Sequence, residues 1–150
     1  MLENELPLAL KRDCLKNNIP FPDLVVQSDD IDLGVCTSKD FSQKYPALSK
    51  QNGRYTPGCY LWIDEGILEL PMLYLYAGKA ALIKNRLLQH WCGSGVFHSR
   101  SSWLDSYWDY VDTHIGYGIP LVYVWLTEER ASLESRIIQA FAPMFNTRKE

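Results

Sequence analysis

Two stretches decide how this chain is read: Gly58-Cys-Tyr-Leu-Trp-Ile-Asp64, and Met72-Leu-Tyr-Leu-Tyr-Ala-Gly78 shortly after it. The first is rich in aromatic residues and runs into Asp-Glu-Gly; the second is closed by glycine. Both read as strands ending at turns. They lie close enough to pair as an antiparallel hairpin with an elaborated loop that contains Pro71.

Working outward, residues 80–91 contain no Gly or Pro, and Ile83, Leu87 and Trp91 recur at helical spacing beside Leu82 and Leu88. This spacing predicts an amphipathic helix. Pro120-Leu-Val-Tyr-Val-Trp-Leu126 is continuously apolar, the mark of a central strand covered on both faces. Thr127 is placed to cap a following helix, with Glu128 and Glu129 in a first turn where the helix dipole favours negative charge. That helix is expected over 128–141, its stripe of Leu133, Ile137 and Phe141 turned to the sheet and Pro143 ending it. The expected fold is therefore α/β, a three-stranded, largely antiparallel sheet flanked by helices.

Residues 92–118 read as an aromatic-rich insertion, with Trp103, Tyr107, Trp108 and Tyr110 at helix-like spacing and Ser101 or Ser102 available as a cap. Core packing is the commoner account of such aromatics. Residues 1–57 form an N-terminal extension, with a short helix around Leu8–Lys16, then Pro20, Pro22 and a loop-rich passage. A chain of 150 residues fits one domain with a real core, so 1–150 is read as a single domain. An apolar share of 47% with 22% charged residues, and no apolar run long enough to span a bilayer, exclude a membrane protein and make the cytoplasm the expected compartment. Cys14, Cys36, Cys59 and Cys92 are widely spaced and form no C-x-x-C, so neither a disulfide framework nor a zinc ribbon is suggested.

The net charge of −3 is unusual for a protein that grips a polyanion. Locally the balance reverses. From Lys79 to Arg100 the chain carries Lys79, Lys84, Arg86 and Arg100 with His90 and His98, and no acid. Such a stretch can present a positive face to DNA, although a solvated helix face is the plainer reading. Lys79, Lys84 and Arg100 are the candidate DNA contacts.

Read together, Gly58-Cys-Tyr60 and Tyr76-Ala-Gly78 resemble the two half-motifs of the GIY-YIG nuclease superfamily. Arg86 and His90 follow, four apart on one helix face; Glu134 lies on a second helix; Asn146 follows Pro143. This order resembles the restriction-endonuclease branch in particular and covers residues 58–146. Two departures stand out: Cys59 and Ala77 replace the usual isoleucines, and the hairpin loop from Asp64 to Pro71 is long. Cys59 and Ala77 should pack on the reverse of the strands, because neighbouring strand residues face opposite sides.

The resemblance implies a GIY-YIG-like core and a metal-dependent endodeoxyribonuclease, restriction-type or structure-specific, with DNA as partner and the oligomeric state open, a homodimer included. It implies that Tyr60 orients or deprotonates the attacking water with Tyr76 assisting, and that Glu134 holds Mg²⁺ (or Mn²⁺). Asn146 follows as an orienting group. The chemistry is coherent. Phosphodiester hydrolysis needs an activated water, cationic help for the developing phosphorane and a stabilised leaving oxygen. Arg86 offers a planar fork to the phosphate and His90 a route for protons. A phenol titrates near ~10, so Tyr60 serves as a base at neutral pH only if nearby cations favour its phenolate. Each residue also has a plainer reading: Arg86 in a surface ion pair, His90 satisfied in the core, Glu134 paired with Arg130 or a lysine. The rival from another class is a DNA-binding or regulatory domain of the same fold without cleavage.

Overall fold

The computed structural model describes residues 2–28, 38–48, 56–67, 70–92 and 102–146, and the side chains of these except 2–3, 38–40 and 88–92. Strands β1 (Leu24–Gln27), β2 (Gly58–Asp64), β3 (Leu73–Ala80) and β4 (Pro120–Leu126) form one sheet in the order β1-β4-β2-β3. Every neighbouring pair is antiparallel. The expectation of three strands is thus corrected to four, while the α/β class and the antiparallel hairpin of β2 and β3 stand. The strand that sequence reading missed, β1, has four residues, too few for an alternating pattern to stand out from its loop-rich surroundings. It pairs along the outer side of β4, so a segment read as an extension contributes to the sheet itself.

The helices are α1 (Leu2–Glu5), α2 (Leu8–Lys16), α3 (Ser38–Lys44), α4 (Ile83–Cys92), α5 (Ser102–Thr113) and α6 (Arg130–Phe141), with a 3-10 turn at Pro46–Leu48. Among the described residues no helix is long and apolar enough to cross a membrane. The helix expected from residue 80 begins at Ile83, because Lys79 and Ala80 still pair with β2. The last helix begins at Arg130 rather than 128. Thr127 accepts a hydrogen bond from the Glu129 amide, 3.1 Å, which closes a turn two residues before the helix instead of capping it.

Strand β2 is buried at all seven positions and β4 at six of seven, so both faces of the sheet are covered, as the continuous apolar run of β4 required. Period-two alternation then sorts the core into two layers. One holds Tyr60, Trp62, Leu75, Val122 and Val124 under α4 and α5 with Phe41 of α3. The other holds Cys59, Leu61, Ile63, Ala77, Tyr123 and Trp125 under α2 and α6. Cys59 and Ala77 therefore lie on the reverse of the face that carries Tyr60, as expected. Gly58 has a packing reason: a Cβ there would run into the carbonyl of Trp125 on β4.

Candidate active site

Strand β2 delivers Tyr60 and strand β3 delivers Tyr76 to the same layer, their ring centroids 6.4 Å apart. Tyr60 pairs across the strands with Gly78, and a Cβ on Gly78 would collide with the Tyr60 hydroxyl. The glycine of the second half-motif is thus what lets the tyrosine of the first lie flat across β3. Helix α4 brings half-buried Arg86 to this pair, and its guanidinium donates a hydrogen bond to the Tyr60 hydroxyl. The same cation acts on Tyr76.

Glu134 arrives from the other layer. Helix α6 packs on the β2 and β3 face that carries Cys59, whose thiol donates to the Arg130 carbonyl at 2.9 Å. The Glu134 carboxylate nevertheless acts on both phenols, reaching them across β3, the edge strand. Tyr60, Tyr76 and Arg86 therefore gather in one layer, while Glu134 lies with the other layer and bears on the two phenols through its charge.

The electrostatics qualify one expected role. Tyr60 is 1% exposed, and burial pushes its phenol above the ordinary value of 10.0; Tyr76 raises it further, and the Arg86 hydrogen bond and charge offset only part of this. Tyr76, half-buried, is also raised, chiefly by burial. Among the described residues, desolvation of the phenolate outweighs the charge of Arg86, so both tyrosines keep their protons at neutral pH. No described cation meets the condition set for Tyr60 as a resident base; hydrogen bonding remains open to it.

Lys79 Nζ lies 3.6 Å from Glu134 Oε1, with side chains 45% and 20% exposed. The expected DNA contact thus serves as counter-ion to the expected metal ligand, which is the plainer reading of Glu134. Lys84, the second expected contact, donates to Ser42 Oγ of α3 at 3.2 Å. Arg100 lies outside the described residues. For His90 the backbone is placed on α4, one turn beyond Arg86, and its side chain lies outside the described set. Asn146 accepts from the Ala77 amide at 2.7 Å and donates to the Ala77 carbonyl at 2.9 Å. With the amides of Met144 and Phe145 bonded to Tyr74 and Leu75, it closes the outer edge of β3, and its amide imitates a strand residue at the centre of the second half-motif. Its side chain thus holds the backbone beside Tyr76.

Two residues that were given no site role in the sequence reading also take part. Trp103 of α5, 5% exposed, stacks on Tyr76 with centroids 5.3 Å apart and planes 1° from parallel, covering one face of that ring. Its partners lie in a distant strand, so only helical spacing hinted at an inward face. The same helix bears out core packing as the account of these aromatics: Trp103, Leu104 and Tyr107 are buried, while Asp105, Asp109 and Asp112 are exposed. The second is Asp64, 1% exposed at the end of β2. It accepts from Tyr107 Oη at 2.5 Å, the Gly118 amide at 2.7 Å and the Gly66 amide at 2.9 Å.

In comparisons with family models, with curated proteins and with solved structures, nothing matches this chain.

Proposed function

We propose that this protein is a metal-dependent DNA endonuclease of the GIY-YIG type, acting on a phosphodiester held between Arg86 and Glu134. The observation that carries this reading is the grouping of residues far apart in the chain: Arg86 bonds Tyr60 and acts on Tyr76, and Glu134 acts on both.

Arg86 binds the scissile phosphate through its fork and tightens as negative charge grows there. Tyr60 and Tyr76, protonated at neutral pH, orient the attacking water by hydrogen bonding. His90, one helical turn from Arg86, is the residue left to take up the water's proton. Glu134 fits a divalent cation: it is a partly solvated carboxylate whose neighbouring lysine is itself well exposed. Among the described residues no group of three or more His, Cys, Asp or Glu could surround an ion, so one carboxylate and several waters would hold it, the manner that suits Mg²⁺. When bound, the ion supplies Lewis-acid charge at the leaving oxygen.

A DNA-binding domain without cleavage is the second reading, favoured by the deep burial of Tyr60. Nicking of supercoiled plasmid separates the two. The nuclease reading expects cleavage with Mg²⁺ that EDTA abolishes and Glu134→Ala removes. DNA binding without nicking by a folded wild-type chain would overturn it in favour of the second.

A further inference from the structure

Two exposed apolar surfaces of this chain carry opposite charge. The first lies where the β2–β3 loop meets the turn before β4. The Ile67 amide donates to the Gly116 carbonyl at 3.0 Å, and Tyr117 Oη donates to the Pro71 carbonyl at 2.7 Å. A Cβ on Gly116 would run into the Leu70 side chain. The two loops are thus fastened together, and they hold aliphatic side chains out to solvent: Ile67 and Leu70, with Ile119 64% exposed and Ile115 97% exposed. Exposed Glu65 belongs to the first loop, and exposed Asp112 to the helical turn that leads into the second. Residues 64–72 and 109–120 contain no lysine or arginine.

The second surface is the outer face of α2. Leu10 and Cys14 turn into the core, and Asp13 is held toward β3 by a hydrogen bond from Tyr74 Oη at 2.6 Å. On the opposite face Leu8 and Leu15, two turns apart and 74% and 71% exposed, stand beside exposed Arg12 and Lys16. A single exposed leucine is ordinary. Two aligned down one face and set among cations form a patch, on a helix whose inner face already serves the core.

We propose that these surfaces bind one another between two copies of the chain, the outer face of α2 in one copy docking on the Ile115 loops of the other. Leu8 and Leu15 would leave water against Ile67, Ile115 and Ile119, while Arg12 and Lys16 meet Glu65 and Asp112. Neither surface suits a copy of itself, since α2 on α2 sets cation against cation and loop on loop sets acid against acid. The contact therefore joins two different patches. Neither patch includes a residue of the candidate active site, so the inference is independent of the nuclease reading.

Sedimentation velocity of the full chain without DNA tests it. The expected result is reversible association with a Kd on the order of 10 µM at low salt, weakening about fivefold or more between ~50 and ~500 mM salt. Arg12→Glu with Lys16→Glu, and separately Glu65→Lys with Asp112→Lys, should each weaken self-association about tenfold or more. An equimolar mixture of the two doubly substituted chains should associate about as tightly as the wild type, because every contact in it again pairs opposite charges. Ile115→Ser, at a position the fold does not bury, should weaken association about tenfold. All these residues are exposed, so the variants fold. A wild-type chain monomeric at about fifty times that Kd, association that survives either charge reversal, or reversed chains that fail to associate on mixing overturn the proposal. So does a monomeric wild type that binds duplex DNA through Arg12 and Lys16, which would assign the α2 face to nucleic acid.

Discussion

The two ends of β2 handle a carboxylate in opposite ways. At the Asp64 end the acid is sealed in, and three donors from the β2–β3 loop, α5 and the turn before β4 satisfy it. At the Tyr60 end Glu134 remains partly solvated, and its ion pair is with a lysine that is nearly half exposed. A carboxylate fully enclosed by fixed donors is committed to the fold, since its energy is already realised in the native state. One held by a single mobile ammonium can exchange that partner for another cation at little cost. On the proposed nuclease reading, the first end serves structure and the second chemistry.

The largest effects should fall at the second end and on rate alone. Tyr60→Phe retains the ring over Gly78 and removes the hydroxyl that meets Arg86, so cleavage should drop by about 10²–10³, the cost of one positioned hydrogen-bonding group, with little change in melting temperature. Glu134→Ala should cost about 10²–10³ and also abolish the response to Mg²⁺ titration, which Tyr60→Phe should leave intact. Single-turnover rates across a metal series distinguish them. Wild-type rates in either variant would remove that residue from the mechanism.

At the first end the effect should fall on stability. Asp64→Ala leaves the Tyr107 hydroxyl and two amides without their acceptor and should destabilise the fold by about 3 kcal/mol, read as a shift in the urea midpoint. Asp64→Asn keeps the acceptor oxygen and should recover part of that loss. If Asp64→Ala melted like the wild type but cleaved slowly, the assignment of the two ends would have to be exchanged.

How far this division was legible in the sequence depends on the distance between partners. The hairpin, β4 and the two long helices were readable because each carries its period over many consecutive residues. So was the reverse packing of Cys59 and Ala77. The same alternation argument would have removed Lys79 from the face of Tyr76, since positions three apart on a strand face opposite sides. The donors of Asp64 come from positions 66, 107 and 118, and no local pattern links them. The edge-closing role of Asn146 depends on β3 being an outer strand, which topology decides and spacing does not. Nor does spacing show that α4 and α5 cover Tyr60, which makes a candidate base a buried hydrogen-bonding group.

The reverse side of the Tyr60 end offers a pH test. Burial first, and then the charge of Glu134, push the Cys59 thiol from 9.0 up to about 12; burial and Asp13 push Cys14 up to about 11. A folded pKa above the unfolded one means the native state binds the extra proton. Its stabilisation is fully present below pH ~9 and is lost as pH rises toward the folded values. Each thiol should contribute a slope of up to about 1.4 kcal/mol per pH unit in that window, visible as falling urea midpoints. Cys59→Ala should flatten the curve. A midpoint independent of pH between ~9 and ~11 would contradict the closed packing beneath Glu134.

The smallest effect should come from Lys79, and it is the most informative about exchange. The Lys79–Glu134 pair spans 3.6 Å with the lysine side chain 45% exposed, so solvent screens it and its removal should change stability by less than about 1 kcal/mol. Its consequence for ligands should be larger than its consequence for the fold. If the ammonium competes with a divalent cation for one carboxylate, Lys79→Met should tighten Mn²⁺ at Glu134, whereas DNA affinity at low salt should fall if the same ammonium also meets phosphate. A calorimetric Mn²⁺ titration of Lys79→Met, with Glu134→Ala as the blank, reads the first quantity apart from the second. Weaker or unchanged Mn²⁺ binding would make the lysine a support of the carboxylate's position rather than its exchangeable partner, and the contrast with Asp64 would then narrow to a difference in burial.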